Sequence, residues 1–254
     1  MENDLEKLHP IERFNDRVKY YSKYRPDYPE SFFLFLEMEL ALTKNMVLAD
    51  IGSGTGLFSE HLLKRGYPLI CVEPNEEMRN YAEQTLASYP GFSSKNARAE
   101  TTGIAAGTVD CIFVAQAFHW MNPVKTKQEF LRILKPGGKI VICWILATQD
   151  SAFLKDYENL RQEFAVDYKP VKRNDEPTLA KFYEPMKMNK KIIPFKNLLN
   201  FESLKGLLLS VSFIPKPNSL GYENMLKNLG DLFERHNING YVEMNYELTV
   251  YWNS

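Results

Sequence analysis

"LADIGSGTGLFSEHL", Leu48 to Leu62, sets Gly52, Gly54 and Gly56 at alternate positions between an apolar run and a helix-like pattern. A backbone this bare turns tightly, tolerates positive φ and lets the main chain approach a ligand without Cβ contacts. Before it, "MVLADI" (46–51) reads as a short strand stopped by glycine. After it, "GLFSEHLLKRG" (56–66) places Leu57, Phe58, Leu62 and Leu63 on one helical face, with Gly66 as C-cap. The stretch is therefore one β–loop–α unit.

Further along the chain the alternation continues. "YPLICVE" (67–73) is a strand, and "NEEMRNYAEQTLAS" (75–88) is a helix whose early glutamates suit the N-terminal dipole. "VDCIFVAQA" (109–117), the helix "KTKQEFLRILK" (125–135) and "GGKIVICWIL" (137–146) follow, with Pro136, Gly137 and Gly138 as the turn between the last two. Strands so uniformly apolar are covered on both faces, which predicts a doubly wound α/β fold with a mainly parallel sheet and right-handed crossovers. Beyond 148 the pattern changes. "DSAFLKDYENLRQEFAV" and "FESLKGLLL" read as helices, and residues 167–198 are rich in Lys and Pro without a clear period. Residues 149–220 are expected largely to form an elaboration over the sheet's top edge. "GYVEMNYELTVYW" (240–252) alternates with period 2, as an antiparallel strand near the sheet edge would.

The chain has 254 residues, 44% hydrophobic and 13% aromatic, enough for one elaborate domain with a large core. Lys+Arg 31 against Asp+Glu 32 gives a net charge of −1, so no overall positive field recruits nucleic acid or an anionic membrane. The runs Lys169/Lys172/Arg173 and Lys187/Lys190/Lys191/Lys196 read as solvated surface. The acidic start "MENDLEKLHP" lacks the features of a signal peptide, and "SFFLFLEMEL" is interrupted by Glu37 and Glu39, so a cytoplasmic protein without a membrane span is expected. Cys71, Cys111 and Cys143 are scattered through strand-like runs and read as buried thiols. Four histidines without ligand spacing leave little from which to build a metal centre.

Open α/β sheets bind ligands at the carboxyl ends of their strands, where these glycines lie and where the next helix aims its unpaired N–H groups. The spacing G-S-G-T-G brings the third glycine one residue too early for a dinucleotide fingerprint, and Asp50 stands just ahead of it. A carboxylate there would repel a pyrophosphate and suit a cationic ammonium or sulfonium. Glu73, ending the second strand, can accept both hydroxyls of a ribose; the alternative is a helix-capping acid ahead of "PNEE". A ribose-bearing, phosphate-free, cationic ligand is S-adenosylmethionine.

On "LADIGSGTG", "CVEPNEEM", "NARAETTGI", "VDCIFVAQAFHWMNP" and "ILKPGGKIVI" the sequence resembles the class I S-adenosylmethionine-dependent methyltransferases, more narrowly the type 11 group related to trans-aconitate methyltransferases. "FNDRVKYYSKYRPDYP" (14–29) and "GYVEMNYELTVYW" resemble the group's N-terminal segment and final strand; 149–220 is weakly matched. The resemblance implies a seven-stranded Rossmann-like sheet with an antiparallel last strand and a helical cover inserted after the fifth. It divides the chain into 1–148 as N-terminal segment and cofactor-binding core, 149–220 as cover and substrate region, and 221–254 as the helix and strand that complete the sheet.

The resemblance further assigns Asp50 and the main chain of Gly52, Ser53, Gly54, Thr55 and Gly56 to the amino-acid part of the cofactor. Glu73 holds the ribose, with Pro74 and Met78 along ribose and adenine, and Ala99 and Glu100 meet the adenine edge. Gln116 and Ala117 lie beside the methionine moiety, and Tyr21 and Arg25 cover its carboxylate. Arg98, just before Ala99, departs from the family's small or acidic residue.

The implied activity is methyl transfer to a small-molecule acceptor by in-line displacement, with no covalent protein intermediate. "AQAFHWMNP" replaces the motif of nucleic-acid amino-methyltransferases, which with the charge balance disfavours DNA and RNA as partners. His119 and Trp120 follow a strand end at the mouth of the pocket; His119 is the candidate general base, set against the plainer reading in which both residues shape the pocket walls. A non-catalytic cofactor-binding protein is the alternative. A nicotinamide-dependent oxidoreductase is disfavoured by the glycine spacing and by the absence of a Tyr-x-x-x-Lys pair near the later strands.

Overall fold

The computed structural model describes residues 18–166 and 175–254; the calls made on 1–17 and on Lys169, Lys172 and Arg173 lie outside them. Its strands are β1 (Leu48–Ile51), β2 (Leu69–Val72), β3 (Phe92–Lys95), β4 (Val109–Ala115), β5 (Leu134–Ala147), β6 (Met188–Leu199) and β7 (Val242–Asn253). They form one sheet in the order β3-β2-β1-β4-β5-β7-β6. β1 to β5 pair in parallel. β7 runs antiparallel to both β5 and β6.

The described helices are α1 (Val18–Tyr24), α2 (Glu30–Glu39), α3 (Leu57–Lys64), α4 (Glu76–Leu86), α5 (Pro123–Ile133), α6 (Ala152–Glu163), α7 (Glu176–Tyr183), α8 (Phe201–Leu209) and α9 (Tyr222–His236). One face of the sheet is covered by Phe32, Leu36, Phe58, Leu62, Leu208 and Leu229. The other packs Ile112, Ile142 and Trp144 against Phe130, Phe182 and Tyr183. All four residues of β1 are buried, as the uniformly apolar central strands required.

Local chemistry sets the helix starts. Asn75 accepts from the Met78 N–H at 2.8 Å and so caps α4. Asn122 accepts from the N–H groups of Val124 and Lys125. Pro123, with its fixed φ and no donor to lose, opens α5 two residues before the Lys125 that periodicity suggested.

Three elements differ from the sequence reading. Residues 188–199, expected within the elaboration over the sheet's top edge, form β6, which pairs with β7 through twelve positions from Met188↔Asn253 to Leu199↔Val242. As an edge strand it turns Lys190, Lys191 and Lys196 outward and tolerates Pro194, whose missing N–H would break a central ladder. β7 accordingly lies one strand inside the edge, between β5 and β6. Pro136, Gly137 and Gly138 sit within β5, where the β4–β5 register shifts between Val109↔Leu134 and Cys111↔Lys139, so they form a bulge rather than a free turn. The thiols of Cys71, Cys111 and Cys143 are all buried. Among the described residues no helix is long and apolar enough to cross a membrane.

Candidate active site

From β1 the chain steps outward to β2 and β3, then returns to place β4 on the other side of β1. That reversal opens a crevice at the carboxyl ends of β1 and β4. A cavity of about 500 Å³ fills it.

The glycine loop forms the cavity floor, and its amides are already committed. The N–H groups of Gly52 and Ser53 both donate to Val72 O, at 2.8 and 3.2 Å. That of Gly54 donates to Glu73 Oε2 at 2.9 Å. A phosphate cradle needs such amides turned toward its ligand; here they bind the loop to the end of β2. Close approach explains two of the glycines. A Cβ on Gly52, where φ is +76°, would lie 2.6 Å from the Ala117 Cβ, and one on Gly56, at φ +83°, would lie 2.5 Å from Leu86 Cδ1. Gly56 is thus the packing point and N-cap of α3, away from the cavity lining.

Asp50 is fully buried. Its Oδ2 accepts from Ser59 Oγ at 2.6 Å. Its Oδ1, like the Thr55 hydroxyl, has no hydrogen-bond partner among the described residues. Burial, partly offset by the Ser59 bond, pushes the Asp50 carboxyl up to about 7. An unpartnered buried carboxyl oxygen at the foot of the cavity fits the ammonium of an amino-acid ligand, whose charge would favour the ionised form.

Glu73 is 8% exposed. Burial raises its pKa, opposed by N–H donors from Asn75 and Gly54. Its Oε1 accepts from the Asn75 N–H at 2.8 Å. Asn75, and not Glu73, caps α4, so Glu73 holds the glycine loop against the α4 start and retains lone pairs toward the cavity that it lines.

Arg25, Asp50, Gly52, Ser53, Gly54 and Thr55 line the cavity, as do Glu73, Pro74 and Met78. Ala99, Glu100, Gln116, Ala117, His119 and Trp120 complete the predicted set around it, with Arg98 beside them. Tyr21 belongs to α1 by its backbone; its side chain lies outside what is described. Arg25 Nη2 donates to Ser210 O at 3.2 Å, tying the end of α1 to the end of α8. Glu100 Oε1 accepts from the Asn122 N–H at 2.8 Å, which joins the segment after β3 to the start of α5. Gln116, just past the end of β4, has φ +62°, a costly conformation for a residue with a Cβ, held by its N–H bond to Cys143 O at 2.9 Å.

Motif reading missed the opposite wall. It consists of Leu154, Tyr157, Glu158 and Arg161 on α6, Val211 to Phe213 after α8, and Met244 and Tyr246 on β7. Tyr157 is 4% exposed, and neither its hydroxyl nor Arg161 Nε has a partner among the described residues. Arg161 Nη1 is taken by Glu158 Oε2 at 2.6 Å. Burial pushes the Tyr157 phenol up to about 12, despite the nearby Arg161 and Arg25 charges, and raises that of Tyr246. Both phenols therefore keep their hydrogens. The i, i+3, i+4, i+7 spacing of Leu154, Tyr157, Glu158 and Arg161 was the available signal.

This fold, with its loop and paired acids, is similar to that of the class I S-adenosylmethionine-dependent methyltransferases, and the chain is a methyltransferase with S-adenosylmethionine as methyl donor. Residues 49–142 match the family described as Methyltransferase domain. An uncharacterized methyltransferase of Mycobacterium tuberculosis is 28% identical over 79% of this chain and 76% of its own length. An uncharacterized methyltransferase-like protein of Schizosaccharomyces pombe is 24% identical over 81% of this chain and 80% of its own. Among solved structures, an Anaeromyxobacter dehalogenans protein assigned provisionally as a type II methyltransferase superposes with TM-score 0.67 at 19% identity, covering 91% of this chain and 97% of that one. Phosphoethanolamine N-methyltransferase 2 of Haemonchus contortus, solved with S-adenosyl-L-methionine, shares the fold at TM-score 0.58 and 16% identity, over 98% of this chain and 59% of that one.

Proposed function

We propose that this enzyme methylates a small molecule carrying an anionic oxygen group, such as a carboxylate, seated against α6 and β7 across the cavity from the glycine loop. One observation supports the reading above the rest: among the described residues the buried Tyr157 hydroxyl and Arg161 Nε lack partners, in a stretch of cavity that includes the apolar Leu154, Ile145, Val211 and Phe213. Burying donors without acceptors costs free energy, and an anion bound there would remove that cost with charge-assisted bonds. The resemblance to trans-aconitate methyltransferases points the same way.

When bound, S-adenosylmethionine supplies an activated methyl group on a positive sulfur. Of the chain's own residues, Asp50 receives the ammonium, Glu73 the ribose hydroxyls and Arg25 the carboxylate. Met78 and Ala99 enclose the adenine, with Pro74 and Glu100 at its margin; Gln116 and Ala117 flank the methionine moiety. Residues 149–166 and 200–220, with Arg25, Pro26 and Tyr28, cover the cavity and exclude water. Aligning a desolvated nucleophile with the methyl carbon is the main task left to the protein.

An extracted metabolite pool, split into anionic and remaining fractions, tests this through S-adenosylhomocysteine release. Release is expected with the anionic fraction, and Arg161→Met is expected to lower kcat/KM about tenfold or more, since a charged hydrogen bond contributes about 1.5–3 kcal/mol. Release with only the cationic or neutral fraction, or with nucleic acid alone, would overturn it.

A further inference from the structure

The Trp144 indole Nε1 lies 3.2 Å from His119 Nδ1. An indole N–H donates and has no lone pair with which to accept, so Nδ1 is the lone-pair end of the imidazole and the ring hydrogen sits on Nε2. Trp144 has little room to give up this bond. It is 1% exposed on β5, held edge-on by Phe118 at 6.4 Å and by Tyr251 at 6.2 Å. A buried indole N–H without an acceptor is costly, and Nδ1 is the acceptor the fold provides. On the cavity side, His119 rests on the Trp120 ring at a centroid distance of 4.8 Å. His119 lines the cavity, whereas Trp144 stands behind it in the core.

Resting on the reading of this cavity as the methyl-transfer site, we infer that Trp144 is a positioning residue that locks His119 as a neutral Nε2–H hydrogen-bond donor. The edge of the imidazole away from Trp144 then offers a hydrogen, and not a lone pair, to the occupant of the cavity. To act as a base at Nε2, the ring would first have to move its hydrogen to Nδ1, directly against the indole N–H. His119 thus orients an oxygen or nitrogen lone pair of the occupant, and the acceptor must arrive with its lone pair already available, as a carboxylate does.

The tautomer can be read without knowing the acceptor. The full chain, ¹⁵N-labelled and bound to S-adenosylhomocysteine, is examined by long-range ¹H–¹⁵N spectra near neutral pH, with His119 assigned from signals lost in His119→Asn. The expected result is an unprotonated Nδ1, a protonated Nε2 and a scalar coupling between Trp144 Nε1 and His119 Nδ1 across the hydrogen bond. Trp144→Phe, checked for folding by circular dichroism, is expected to lose the coupling and mix the tautomers while leaving S-adenosylhomocysteine affinity within about twofold, well under 1 kcal/mol. A hydrogen on Nδ1, or an unchanged His119 pattern in folded Trp144→Phe, overturns the inference. Should Trp144→Phe fail to fold, the wild-type tautomer and coupling decide. A reversed tautomer in a chain that still releases S-adenosylhomocysteine defeats this inference alone; a locked tautomer in a chain that methylates nothing defeats only the proposed function.

Discussion

At the residue scale, the two acids of the site have unlike environments and should fail differently. Asp50 sits near 7 because burial disfavours its charge. Its folded pKa exceeds the ordinary aspartate value of 3.8, so between these values the folded chain binds more protons than the unfolded one. Stability of the free protein should therefore fall as pH rises from about 4 to about 7, by on the order of 4 kcal/mol from this group. Asp50→Asn, which keeps an oxygen for Ser59, should flatten that decline in thermal melts; a wild-type slope retained in the variant would remove Asp50 as its source. In calorimetry the same substitution should weaken S-adenosylhomocysteine binding, most at high pH. Glu73→Ala removes the proposed ribose partner together with the acceptor of the Gly54 and Asn75 N–H groups. A loss of roughly 1.5–3 kcal/mol, about ten- to a hundredfold in affinity, is expected; an unchanged Kd in a folded variant would exclude Glu73 from the site. His119→Asn should lower turnover without abolishing an ionisation near 6 to 7 in kcat, since a locked donor has no such proton to take.

At the element scale, α1 packs closely against α8. A Cβ on Gly206 in α8 would lie 2.3 Å from the Tyr24 ring in α1. Gly206→Ala must push α1 away, at a cost of about 1–3 kcal/mol if the helices cannot adjust, and with it Arg25 and its bond to Ser210 O. Hydrogen exchange should show cofactor-induced protection at 14–28 in the wild type and less in Gly206→Ala. Equal exchange there with and without cofactor would mean that this segment does not close over the ligand.

Over the whole molecule, 149–220 is expected to contribute to both the cover and the core. Phe182, in α7, is 2% exposed and packs against Phe118 at 4.7 Å and Phe130 at 6.1 Å. Phe182→Ala should cost about 3–5 kcal/mol in denaturant unfolding. A change below about 1 kcal/mol would show that the region is a separable insertion. Excising 149–220 would also remove β6, which pairs with β7 along its whole length, so this region contributes a strand to the shared sheet.

The alternation of apolar strands with capped helices, the G-S-G-T-G spacing and the positions of Asp50 and Glu73 were legible because each depends on neighbours along the chain. β3 and β6 were not. "FSSK" carries little apolar signal and "MNKKIIPFKNLL" mixes its apolar residues with lysines and a proline without a clear period; both become strands because β2 and β7 offer them a free edge. The wall formed by Tyr157, Arg161, Phe213 and Tyr246 and the bond from Trp144 to His119 were likewise illegible. They join α6, β5 and β7 to the β4 end across long stretches of chain. The sequence by itself determined the nucleotide-like half of the site, since a loop and two strand ends build it locally. Only the tertiary structure decided the wall that α6 and β7 add to the cavity and the placement of His119 against Trp144, because these rest on which distant side chains packing brings together.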